Sequence, residues 1–363
     1  MPSGSDPTPR SLLDLAPGLS MLGCLTVGFV GLTLDVGQWS LQQDASIMDG
    51  AWATAVEATV DEHAFYKQAG IVSWTLTELM LFGDARPGAL LGSDGWLYTD
   101  EEFQRYPDED AELQHKLAVV EQVRDTLRAH GTELVVALIP AKARVHSEGL
   151  GSHRYPDYAE QRYERFRQGL EAKGITAPDL AGPLRHAAAG GEQVFLRTDT
   201  HWTPAGAQRV AREVASHQPV QDLGSDAYTT LSKPAQAHEG DLLRYLPLGP
   251  LQSQLGPPPD SIAPTTGQAP PSDGQGGLGL FDDNTIPVTL VGTSYSAGGA
   301  WNFEAALEEA LQADVLNAAA EGQGPMLPMV NYLQDDAFLQ TPPRLVVWEF
   351  PERFIPVSYE GTD

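Results

Sequence analysis

The sequence has one cysteine in 363 residues. A lone Cys24 excludes an internal disulfide framework and a cysteine-rich zinc site. Basic residues are scarce as well, 22 against 49 acidic ones, for a formal net charge of −27. Nucleic acid is excluded as a partner, because no basic surplus is present to neutralise phosphates. So acidic a surface reads as a soluble, self-repelling one, and a host adapted to high ionic strength fits it equally well. It also repels an acidic polymer unless salt or a local basic patch intervenes. Long hydrophobic runs are missing apart from one uncharged stretch, residues 19–34.

Counting back to Ala16 brings that stretch close to the ~20 residues needed to span a bilayer. Three readings compete for it: an uncleaved anchor, a cleaved signal peptide and a buried helix. No small-x-small cleavage site precedes Asp35. Met21-Leu22-Gly23 before Cys24 has a faint lipobox character, but Asp14 and Pro17 interrupt the apolar run ahead of it. We therefore expect a tail at 1–15 and a transmembrane signal anchor at 16–36. Arg10 weakly favours an inside N-terminus. Residues 37–90 carry apolar positions at helical spacing (Trp52, Val56, Val60, Phe65, Ile71, Trp74, Leu76, Leu79) and read as a helical stalk or collar.

The remainder, 91–363, reads as one catalytic domain. The Asp94-Gly95 turn opens it, followed by a helix at 109–130 and an all-apolar strand at 133–139 ended by Pro140. A helix at 157–174 and short strands at 175–180 and 194–196 come next. Pro204 opens a helix to about Ser216, with proline at the favoured first position. Residues 250–279, rich in Pro, Gly, Ser and Gln, read as a surface loop. Regular structure returns with a strand at 287–291, a helix at 302–311 and a strand at 344–350. Alternating helices and apolar strands predict an α/β fold around a mainly parallel sheet covered on both faces.

Two motifs carry chemistry, Thr198-Asp199-Thr200-His201-Trp202 and Gly292-Thr293-Ser294-Tyr295-Ser296. In the second, a strand runs through a glycine turn into a serine at a helix start. That geometry exposes the hydroxyl beside backbone N–H groups able to stabilise an oxyanion. The motif is close to a nucleophile elbow, with Ser296 in place of its second glycine. The rival reading of Ser294 is an ordinary helix cap. The first motif supplies a base and the carboxylate that orients it, as a serine nucleophile requires. Its rival reading is a capping Thr203 beside an incidental Asp and His. A metal reading would draw on His186, His217 or His238, but none stands at a ligand spacing, so we expect no metal. Gly292 with Gly298-Gly299 fits neither nucleotide fingerprint, and no cofactor is expected.

The order Asp, His, Ser differs from that of an α/β-hydrolase. Together with Gly92-Ser93-Asp94-Gly95-Trp96-Leu97-Tyr98, Ile139-Pro140-Ala141-Lys142, Gly240-Asp241-Leu242, Trp301-Asn302-Phe303 and Trp348-Glu349-Phe350-Pro351-Glu352-Arg353, it resembles the SGNH-hydrolase-like domain of the alginate O-acetyltransferase family. The resemblance spans about residues 45–360 and points to the membrane-anchored, single-domain branch. It implies a flavodoxin-like sandwich fold, with Ser294 as nucleophile, His201 as base and Asp199 as its partner. The implied activity is O-acetylation of an exopolysaccharide such as alginate. A membrane O-acyltransferase would deliver the acetyl donor, and the catalytic domain would face the periplasm from the inner membrane. An acetylesterase using the same triad and a non-catalytic polysaccharide-binding subunit of an export complex are the alternatives. Four further residues are candidates for substrate contact: Tyr295 and Trp202 as a sugar platform, Asn302 as an amide donor or a helix cap, and Arg353 as an attractor of acidic sugar or a partner of Glu349 or Glu352.

Overall fold

The computed structural model describes residues 65–224, 227–269 and 286–358, with positions 23, 26, 52 and 54. Most of the expected anchor and of residues 37–64 lies outside the described residues. Among the described residues, no helix is long and apolar enough to cross a membrane. The chain divides into two units, residues 1–82 with 247–251, and residues 83–246 with 252–363. In the first, α1 (Phe65–Phe82) carries Lys67 and Glu78 as its only charges.

In the second, β1 (Ala89–Leu91) and β2 (Leu97–Thr99) pair across the turn at Asp94-Gly95, both of them left-handed at φ 53° and 77°. There follow α2 (Glu109–Ala129), β3 (Glu133–Ile139), α3 (Lys142–Val145), α4 (Asp157–Ala172), α5 (Ala181–Ala189) and α6 (Pro204–His217). Next come β4 (Thr229–Ser232), β5 (Gln236–His238), α7 (Gln252–Leu255), β6 (Asp260–Ile262) and β7 (Thr265–Gln268). The chain continues with β8 (Val288–Val291), α8 (Ser294–Ala297), α9 (Phe303–Leu311) and β9 (Val315–Asn317), then α10 (Met326–Gln334), α11 (Asp336–Gln340) and β10 (Leu345–Pro351).

The central sheet is parallel throughout, in the order β3-β10-β8-β9. Alternation along the strands divides its apolar residues between two layers. Val135, Ala137, Ile139, Leu345 and Val347 pack with residues of α5, α6 and α9. Leu134, Val136, Leu138, Val346, Trp348 and Phe350 pack with residues of α2, α4 and α10. Both faces are therefore dry, which accounts for strands that read as unbroken apolar runs. Because all four strands run the same way, the segments after β3, β8 and β10 leave the sheet at one edge.

Three expectations need correction. The strand expected at 175–180 is a single bridge from Thr176 to Val135. Pro178 has no N–H to extend the ladder. Residues 194–196 form only a bridge, Phe195 to Trp202, at the base of a tight hairpin. The 250–279 segment is not simply a loop. Its prolines at 257–259 and 264 flank β6, whose burial alternates, and β6 and β7 pair antiparallel with β5 and β4. Residues 270–279 lie outside the described residues.

Candidate active site

β8 ends at Val291, and Gly292 and Thr293 carry the chain to Ser294 at the start of α8. The β10–β8 register pairs Trp348 with Val291, which brings Glu349 beneath the turn. The Glu349 carboxylate accepts hydrogen bonds from Thr293 N–H (2.7 Å), the Thr293 hydroxyl (3.0 Å) and the Ser296 hydroxyl (3.1 Å). A Cβ on residue 292 would come within 2.5 Å of that carboxylate, so glycine is required there. Burial pushes the Glu349 carboxyl up to about 7, against the pull of its three donors. Thr293 caps α8 through Tyr295 N–H, and the Ser294 N–H meets no acceptor among the described residues.

The Asp-His motif sits at the tip of the hairpin closed by Leu196 N–H to His201 O (3.0 Å) and Thr203 N–H to Val194 O (3.0 Å). Asp199 Oδ1 accepts from the His201 backbone N–H (2.9 Å) and lies 2.6 Å from His201 Nδ1. His201 Nε2 lies 2.7 Å from Ser294 Oγ, closing the line Asp199–His201–Ser294. On the other side of the carboxylate, Oδ2 accepts from Asp241 N–H (3.1 Å) and lies 2.8 Å from His238 Nε2. Burial disfavours the Asp199 anion, but the hydrogen bonds from His201 and His238 outweigh it and hold this carboxyl well below the usual range. Asp199 and His201 are buried, and Ser294 is partly exposed, so the hydroxyl is the member that a substrate can reach.

Two further residues fix the hairpin, and neither stands out in the sequence as part of the site. Lys142 is buried, and its Nζ donates to the carbonyls of Leu97 (2.5 Å), Arg197 (2.9 Å) and Asp199 (2.9 Å). Burial lowers its ammonium to about 8, so near neutral pH it still carries the three protons that these acceptors use. Asp260, on β6, accepts from Arg197 N–H (2.8 Å), Thr198 N–H (2.8 Å) and the Thr198 hydroxyl (2.6 Å). The Ile139-Pro140-Ala141-Lys142 stretch is the available signal for the lysine. Nothing local marks Asp260, because its role depends on a pairing partner in β5.

The four candidate substrate contacts take other roles in the structure. Trp202 is fully buried against Tyr295 and Phe303, so it belongs to the core and not to a sugar platform. Tyr295 is buried too, and its hydroxyl donates to Thr200 O (2.7 Å). Asn302 caps α9 through Ala305 N–H (3.4 Å) and donates to Thr265 O (3.0 Å), so its amide is committed. Arg353 lies over the Tyr295 ring, 3.3 Å from the Tyr295 hydroxyl, and pairs with Glu101 (3.3 Å) instead of Glu349 or Glu352. Glu352 is taken by Arg144 (2.6 Å). At the triad itself, Trp301 stacks on His201 and donates from Nε1 to Ser294 O (3.1 Å), with the Tyr295 ring tilted against the same imidazole.

Asp199, His201 and Asp241 bring one potential ligand atom each within 4.8 Å of one another. Those atoms already share hydrogen bonds, with Asp241 accepting from Thr200 N–H (2.7 Å) and the Thr200 hydroxyl. A cation there would have to displace hydrogen bonds that these side chains already make. The arrangement suits proton transfer between Ser294 and His201, followed by acyl transfer.

Comparison with known proteins accords with this chemistry. Residues 89–352 match the family model described as "SGNH hydrolase-like domain, acetyltransferase AlgX". The "Probable alginate O-acetylase AlgJ" of Azotobacter vinelandii is 42% identical over 343 residues, covering 92% of this chain and 88% of that protein. Its namesake in Pseudomonas putida is 43% identical over 344 residues, covering 92% and 89%. Among solved structures, the O-acetyltransferase domain of Pseudomonas putida AlgJ matches with a TM-score of 0.67 at 43% identity, covering 76% of this chain and 95% of that one.

Proposed function

The chain belongs to the SGNH hydrolase-like acetyltransferase family of AlgX, and from that premise we propose that it O-acetylates a polysaccharide, alginate by the names its relatives bear. The observation that carries the reading is the continuous line of short contacts from Asp199 through His201 to the partly exposed Ser294 hydroxyl. Ser294 Oγ attacks the carbonyl carbon of the acetyl donor as its proton passes to His201 Nε2. The Ser294 N–H faces the developing oxyanion, and Asp199 stabilises the imidazolium. The departing donor oxygen takes the proton from Nε2, leaving acetyl on Ser294. A sugar hydroxyl then gives its proton to Nε2 and attacks that ester. Ser294 Oγ departs and recovers the proton, and the acetyl group rests on the sugar.

The acceptor distinguishes this transferase from an esterase with the same triad. A bound sugar hydroxyl gains a large effective concentration over water at the acyl-enzyme. We further propose that residues 16–36 anchor the chain in the inner membrane with the catalytic domain in the periplasm, and that a membrane O-acyltransferase supplies the acetyl group. The uncharged run at 19–34 supports the anchor. The test uses the full chain with an activated acetyl ester and uronic-acid oligosaccharides. The expected results are oligosaccharide gaining 42 Da, Ser294→Ala losing turnover with an unchanged melting curve, and protein retained in membranes after carbonate washing. Acetate release without acetylated sugar would make it an esterase. Wild-type turnover by Ser294→Ala would remove Ser294 as nucleophile.

A further inference from the structure

We propose that His238 is a positioning residue of the acetyl-transfer site, holding the Asp199 carboxylate from the side opposite His201. This rests on the reading of Asp199, His201 and Ser294 given above. The Asp199 carboxylate has two oxygens, and the structure gives each to a different imidazole. Oδ1 serves His201 Nδ1 at 2.6 Å, and Oδ2 lies 2.8 Å from His238 Nε2. Without His238, Oδ2 keeps only the Asp241 N–H, and the buried carboxylate is freer to turn about its Cβ–Cγ bond, out of the plane that serves His201. With His238 in place, the orientation that serves His201 is the one in which both oxygens are satisfied. Asp241 N–H on Oδ2 at 3.1 Å acts the same way but is longer and uncharged.

His238 is itself held by a second pairing. It ends β5 and stands in register with Asp260 of β6, the residue that binds the Thr198 end of the hairpin. The segment carrying β5 and β6 therefore grips the Asp-His hairpin at two points, by Asp260 at its entry and by His238 at its acid. The groups facing His238 are Asp199 from the hairpin, Asp260 from β6 and Asp241 from the turn after β5, with the edge of Trp301 beside it. All three charged neighbours are acidic. The hydrogen bond to Asp199 leads them in raising the imidazole's pKa. A protonated His238 shares the Asp199 charge and weakens its support for an imidazolium on His201. A neutral His238 still donates from Nε2 and leaves that support intact. Its proton state thus tunes the base through Asp199.

The test compares His238→Ala and His238→Gln in the full chain, using turnover of an activated acetyl ester from about pH 5 to 9, with Ser294→Ala as reference. His238→Ala should lose roughly ten- to a hundredfold in kcat with KM within about twofold, as expected for support acting on the transition state. His238→Gln, which keeps an N–H donor without a titrating charge, should recover kcat to within a few-fold. Its acid limb should move to higher pH, because a cation next to Asp199 has gone. Wild-type kcat in His238→Ala would overturn the proposal. So would a His238→Gln variant as slow as His238→Ala, with both melting at the wild-type temperature. If both variants melt lower, the rate is read below their transitions, and equal rates there overturn the proposal as well. Ester turnover unaffected by Ser294→Ala would instead overturn the underlying triad reading.

Discussion

The indole of Trp301 lies over the imidazole of His201, with ring centroids 4.2 Å apart and planes 15° from parallel. The same side chain donates from Nε1 to the Ser294 carbonyl at 3.1 Å. One residue therefore fixes the ring plane of the proposed base and braces the turn that carries the proposed nucleophile. A stacked pair of this kind contributes about 0.5–1.5 kcal/mol beyond its buried area. Trp301→Ala, which loses the stack and the donor, should lower kcat roughly tenfold or more. Trp301→Phe, which keeps the stack, should stay within a few-fold. Steady-state turnover of an acetyl ester measures both, and equal losses would assign the effect to the N–H alone.

Asp199→Asn should be far more severe. The carboxylate takes two donors on each oxygen, so an amide must turn its NH2 toward groups that are themselves donors. If it serves His201 at Nδ1, the imidazole is held in the wrong tautomer, an effect worth about 10⁴-fold in kcat where it has been isolated. We expect a loss of several orders of magnitude in kcat. A loss under tenfold would show that His201 does not depend on this carboxylate.

Glu349 predicts a pH dependence of stability. Its carboxyl titrates at about 7 in the folded chain against an ordinary 4.5. Between those values the folded protein holds a proton that the unfolded chain has lost, so stability falls as pH rises through that window and is flat above it. A shift of this size corresponds to about 3 kcal/mol. Glu349→Gln keeps an acceptor for Thr293 N–H and never ionises, so it should remove this slope and melt above wild type at pH 8. Melting curves at pH 5 and pH 8 test it. An unchanged slope in the variant would place the titration elsewhere.

The acidic surface predicts a salt effect that depends on the acceptor. At a net charge of −27 the chain repels a polyuronate, and added salt screens the repulsion. Raising ionic strength from about 10 to 150 mM shortens the screening length from about 30 to 8 Å. kcat/KM for an oligouronate should rise severalfold over this range, while a neutral oligosaccharide changes little. A fall for the oligouronate would reveal a local basic track that outweighs the total charge.

The sequence carried the parts of the site that are local. A strand, a glycine and a serine before a helix form a motif within one stretch of chain. Asp199 and His201 sit two apart at one hairpin tip. The long helices and the apolar strands β3, β8 and β10 were equally plain, because their periodicity is set by dry layers on both faces. The rest depends on pairing between distant segments. His238 stood only as a spare ligand, and its contact with Asp199 follows from the pairing of β5 with β6, which lies in a stretch whose prolines argued for a loop. Trp202 and Tyr295 adjoin the triad in sequence, yet their side chains turn into the core. Asn302 and Arg353 carried a correct alternative in kind, a cap and an ion pair, but the partner of Arg353 is Glu101, some 250 residues away in the chain.

β10 is the last strand among the described residues and an inner strand of the sheet, flanked by β3 and β8. A ribosome extends the chain from the N-terminus, so β3 and β8 both emerge before the strand that joins them. Until residues 345–351 arrive, neither apolar layer has its middle, and no carboxylate lies beneath the Gly292 turn. A nascent or partly threaded chain therefore holds Ser294 and His201 without a scaffold to bring them together. Acquisition of activity is tied to the arrival of residues 345–351, and a chain moving through a narrow pore would hold an unassembled site until that strand had passed.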